Sequence, residues 1–120
     1  SQFNLAEVDI NEFEAIIFVG GIGASDYFFN DEAHHLAQKF LAQNKFVCAI
    51  CIAPRILAEA GILHNKTVTS YESVAESIKS KGGNWTGKNV EVDEKIITAN
   101  GPESSWQFGE TISQRILDEQ

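Results

Sequence analysis

Methionine is absent from the 120 residues, and there are only 2 cysteines. Lys and Arg together number 9 against 17 Asp and Glu, a formal charge of −8. Each shortage excludes something. Two cysteines do not make a disulfide scaffold in a chain of this size. An acidic chain without clustered Lys and Arg does not neutralise phosphates, so nucleic acid is not expected as a partner. No apolar run approaches the roughly 20 residues of a membrane span, and no signal peptide is visible, so the expected location is cytoplasmic. There is no internal repeat and no low-complexity tract. A start at Ser1 fits removal of an initiator Met, or a chain that is part of a longer one. What is present, 43% hydrophobic and 10% aromatic residues, is ordinary for one domain over residues 1–120.

The chain is organised around Phe46-Val47-Cys48-Ala49-Ile50-Cys51-Ile52-Ala53-Pro54. An apolar run of this length reads as a strand buried on both faces. Pro54 suits the first turn of a helix that Ile56, Leu57 and Ala60 continue and Gly61 ends. Cys51 then falls at the strand-to-helix corner, with Ala49 and Ala53 two residues to either side. Small residues flanking a corner nucleophile form the pattern of a nucleophile elbow, and the following helix start favours a thiolate. The competing reading is a buried, inert cysteine. Cys48 and Cys51 also form a C-x-x-C, but no second such pair follows to make a zinc site, and Cys48 lies within the strand, so it is read as packing.

The other elements follow in order. Ser1 to Phe13 reads as a solvated lead-in. Ala15–Val19 is a second all-apolar strand, expected to be central and covered on both faces. It runs into Gly20-Gly21-Ile22-Gly23, the start of a dinucleotide fingerprint whose third glycine is missing, since Asp26 stands in its place; no cofactor is expected. The bare N–H of Gly21 is instead available to whatever Cys51 attacks. Asn30 or Asp31 caps a helix with Ala33, Leu36, Ala37, Phe40 and Leu41 on one face. The adjacent His34 and His35 point about 100° apart, a poor joint metal site, and are placed at the surface or boundary. Lys66–Ser70 reads as a strand, Ser73–Lys79 as a helix ending at Gly82-Gly83, and Asn84–Thr86 as an edge strand. Residues 89–92 and 95–99 alternate as a hairpin around Asp93-Glu94, and Glu94, where glycine is easier, suggests a loop longer than two residues. Pro102 opens a last helix with Trp106, Gly109, Ile112, Ile116 and Leu117 assigned to its buried side. Strands alternating with amphipathic helices give an α/β fold with a mainly parallel sheet and helices on both faces.

Three segments, Ala15-Ile16-Ile17-Phe18-Val19-Gly20-Gly21, Ala49-Ile50-Cys51-Ile52-Ala53-Pro54 and Ile96-Ile97-Thr98-Ala99-Asn100-Gly101-Pro102, resemble the ThiJ/PfpI superfamily in order and spacing. These DJ-one-like proteins are related to the class I glutamine amidotransferase domain, and the resemblance runs from about Glu12 to Leu117. It implies a flavodoxin-like three-layer sandwich with a small β-hairpin. It also implies a reactive Cys51 and an oxyanion pocket from the backbone N–H groups of Gly21 and Ile52. Peptidase-like members carry a histidine directly after the nucleophile, where this chain has Ile52. DJ-one-like members place one about twenty residues on, where this chain has Tyr71, a poor proton acceptor at neutral pH. Family chains begin with a strand, a helix and a strand that supply a glutamate to the thiol, so these residues correspond to the C-terminal two-thirds of a family domain. The expected partner is an N-terminal fragment of the same protein or a second subunit completing the sheet, as a homo-oligomer. The implied functions are a cysteine-dependent glyoxalase or deglycase acting on small reactive aldehydes, or a non-catalytic oxidation sensor, chaperone or interaction module. A cysteine peptidase ranks last.

Overall fold

The computed structural model describes residues 13–20 and 24–119. The lead-in before Phe13 and the turn from Gly21 to Gly23 lie outside the described residues. Strand β1 (Ala15–Val19) is followed by a 3-10 turn at Ala24–Tyr27, helix α1 (Asp31–Ala42), β2 (Phe46–Ile50) and α2 (Pro54–Glu59). Then come β3 (Thr67–Val68), α3 (Ala75–Ser80), β4 (Asn84–Trp85), β5 (Val90–Asp93), β6 (Ile96–Ala99) and α4 (Ser105–Asp118). The main sheet has the order β1-β2-β6-β5. β1 and β6 flank β2 in parallel, and β5 runs antiparallel to β6. β3 and β4 form a separate parallel pair.

Three layers result. Leu36, Phe40, Leu57 and Ile78 from α1, α2 and α3 pack with Val47, Ala49 and Ile96 on one face of the sheet. Phe108 and Ile112 from α4 pack with Cys48, Ile50, Ile97 and Ala99 on the other. Every residue of β2 is buried, as an all-apolar strand between two helical layers requires. Asn30 is the cap of α1, its Oδ1 accepting from Ala33 N–H at 2.8 Å, an interaction worth about 1 kcal/mol.

Several expectations are corrected. β1 is apolar throughout, but its second face is covered only at Ala15, which packs against the α4 layer. Ile16 and Phe18 pack against the α1 and α2 layer, whereas Ile17 is 48% and Val19 68% exposed. The reason is that α4 lies over β2 and β6, leaving β1 as the outer strand of the described sheet. Lys66–Ser70 shortens to a two-residue strand because Thr69 and Ser70 leave the ladder. Thr69 N–H donates to Thr98 Oγ1, and Ser70 Oγ donates to the Tyr71 carbonyl. The expected helix from Ser73 is a 3-10 turn at Glu72–Val74 before α3. The hairpin loop is only two residues, Glu94 and Lys95, because Asp93 pairs directly with Ile96. Glu94 accordingly takes φ +55°, and its carboxylate receives Lys66 Nζ at 2.6 Å. α4 turns Phe108 and Ile112 inward and leaves Trp106 and Leu117 outside. Phe108, Ile112 and Ile116 stand four apart and form a straighter stripe than one containing Trp106.

Candidate active site

Between the end of β2 and the start of α2 lie only Cys51, Ile52 and Ala53. So short a reversal forces Cys51 to φ +68°, a left-handed conformation that costs a non-glycine residue on the order of 1–2 kcal/mol. Ala49 and Ala53 are fully buried on either side, where larger side chains would separate strand from helix. The corner is held by backbone bonds from three directions. Cys51 N–H donates to the Ala99 carbonyl on β6 at 3.1 Å, and the Cys51 carbonyl accepts from Tyr71 N–H at 2.7 Å. The Ile50 carbonyl accepts from both Gly20 and Ala53 N–H, each at 3.1 Å. Ile52 N–H has no partner among the described residues.

The two cysteines differ sharply. Cys51 is half-buried at the corner, while Cys48 is buried in β2, and both are free thiols. Burial without a partner for the charge pushes the Cys48 thiol up to about 12. Cys48 is thus a packing residue, as read from its place in the strand. Tyr71 is brought to the corner by its backbone, and its ring lines a groove of about 340 Å³ with Ser70, Glu72, Trp85, Asn100 and Glu103. No side chain among the described residues hydrogen-bonds the Cys51 thiol. Gly21, the other expected donor, lies outside the described residues. His34 Nε2 donates to the Phe28 carbonyl at 2.6 Å, and no group of three His, Cys, Asp or Glu side chains among the described residues is arranged to hold a metal.

Two features were not found by reading the sequence. Trp85 joins the corner region by donating from Nε1 to Ser70 Oγ at 3.0 Å; only the pairing of β3 with β4 brings them together. Gly20 is the other. It follows β1 directly, and a Cβ on it would stand 2.7 Å from Cys51 Cβ, 2.8 Å from Ile52 N and 2.9 Å from the Ile50 carbonyl oxygen. The signal was available in a parallel pairing that sets Val19 beside Ile50 and hence Gly20 beside Cys51.

Fold and corner together define a flavodoxin-like α/β protein whose cysteine sits on a strained strand-to-helix turn at the ends of parallel strands. Residues 2–115 match the DJ-1/PfpI family, and the chain belongs to that family. An uncharacterized protein of Methanocaldococcus jannaschii is 38% identical over 106 residues, covering 86% of this chain and 52% of that protein. A protein of Pyrococcus furiosus named a deglycase is 31% identical over 96 residues, covering 80% of this chain and 58% of that one. The crystal structure of a ThiJ/PfpI domain protein from Brachyspira murdochii superposes with a TM-score of 0.92 at 34% identity, over 97% of this chain and 66% of that one. The chain therefore spans about half to two-thirds of the length of these relatives.

Proposed function

We propose that Cys51 is the nucleophile of a cysteine-dependent enzyme acting on small reactive aldehydes, in the manner of a glyoxalase or deglycase. The observation that carries this reading is the strained corner placing a half-buried thiol next to an Ile52 N–H that has no partner among the described residues. A thiolate adding to a carbonyl carbon converts the carbonyl oxygen to an oxyanion, and an N–H held at hydrogen-bond distance stabilises it. Ile52 N–H fills that role, with Gly21 N–H as the second donor that the family resemblance implies. Tyr71 donates or orients and does not take the proton. A deglycase name among the relatives agrees with this chemistry. Ile52 in place of a histidine argues against a peptidase. Methylglyoxal consumption followed in the wild type and in Cys51→Ser tests the reading: loss in the variant supports it, and equal rates in both refute it. If neither consumes the aldehyde while peroxide oxidises Cys51 selectively, the oxidation sensor takes its place.

The site is read as incomplete within these residues. The outer edge of β1 is unpaired among the described residues, and Ile17 and Val19 are exposed beside it. Exposed apolar strand edges invite a further strand. The proposed occupant is the strand-helix-strand that the relatives' greater length leaves room for, and with it the glutamate that the resemblance assigns to the thiol. Intact mass spectrometry with light scattering checks this. Copurification with such a segment supports it, a homodimer points to a second copy instead, and a stable 13.2 kDa monomer overturns it.

A further inference from the structure

We infer that Gly20 is a positioning residue for the Cys51 corner, holding the Ile52 N–H open by having no side chain. This rests on the proposed role of that N–H and extends it to a residue on a different strand. Gly20 does not need glycine's freedom at positive φ, so its lack of a side chain has a different cause, and the distances supply it. Real Cβ atoms essentially never approach heavy atoms below 3.0 Å, yet a Cβ here would meet three such atoms. Two of them, Ile52 N and the Ile50 carbonyl oxygen, are backbone and cannot swing aside. The third is Cys51 Cβ itself.

A Cβ 2.8 Å from Ile52 N lies well inside ordinary contact distance of that nitrogen, so any side chain at residue 20 presses on this donor. A methyl at residue 20 would therefore crowd the approach to the Ile52 N–H, or else push the corner away from β1. Gly20 meanwhile keeps its own N–H on the Ile50 carbonyl, so the strand ends stay joined with no side chain between them. A single residue thus joins the strands and leaves the donor uncovered.

Gly20→Ala tests this with two chemistries on one thiol. Alkylation of Cys51 by iodoacetamide expels iodide and forms no oxyanion, whereas addition to methylglyoxal forms one. The expected result is alkylation within about 3-fold of wild type and methylglyoxal turnover reduced at least 30-fold in kcat, with KM changed less than 3-fold. Equal slowing of both reactions would mean that the thiol has merely been displaced, and would overturn the inference. A stability cycle gives a reading that does not depend on activity. Gly20→Ala should lower the urea midpoint in the wild type and lower it less in a Cys51→Gly background, where the Cβ it meets is gone. An equal loss in both backgrounds, complete unfolding included, would also overturn it. Should the wild type consume no methylglyoxal, the aldehyde reading fails alone and the cycle still reports on Gly20.

Discussion

At the level of single residues, the difference between the two thiols has a direct outcome. Cys48 is fully buried with its thiol pushed up to about 12, so iodoacetamide followed by peptide mass mapping should label Cys51 and leave Cys48 unmodified in the folded protein. Equal labelling would remove the basis for Cys51 as nucleophile. Tyr71 offers its backbone N–H to the Cys51 carbonyl, a bond that Tyr71→Phe preserves. That variant should reduce aldehyde turnover no more than about 10-fold, whereas Cys51→Ser should abolish it. Cys51 was legible in the sequence because an elbow demands small neighbours at fixed spacing, and Ala49 and Ala53 supply them. Gly20 was not, because its contact lies about thirty residues away and exists only once β1 and β2 are in register.

Among the elements, the hairpin joining β5 to β6 shows local preference yielding to pairing. Glu94 disfavours its φ of +55°, but Asp93 must face Ile96 for Val92 and Ile97 to pair behind it. Glu94→Gly removes the steric cost and loses an exposed ion pair of small value, so it should stabilise by about 0.5 kcal/mol. Glu94→Val should destabilise by about 1 kcal/mol, since a branched Cβ crowds that conformation further. Urea midpoints of the two variants check both signs. The same tension between local pattern and neighbours explains α4 and β1. Trp106 is apolar but lies off the line of Phe108 and Ile112, and an all-apolar β1 says that cover is wanted without saying which element provides it.

For the whole molecule, Cys48 links stability to alkaline pH. Its folded value of about 12 lies above the ordinary 9.0, so between these limits the unfolded chain releases a proton that the folded one keeps. Unfolding is then favoured as pH rises, by about 1.4 kcal/mol per pH unit across that window, and below it the effect vanishes. Cys48→Ala should lose stability less steeply than wild type from about pH 9 upward, in urea titrations at matched ionic strength. The bonds that Gly20, Cys51 and Tyr71 donate at the corner carry a kinetic consequence. Their three amides are tied to the central strands, so they should exchange with solvent deuterium only through the opening that releases β2 and β6, and as slowly as those strands. The elbow then belongs to the most persistent cooperative unit of the fold. Its thiol meets reagents through the native surface alone, and modest urea should leave the labelling rate of Cys51 unchanged while raising that of Cys48.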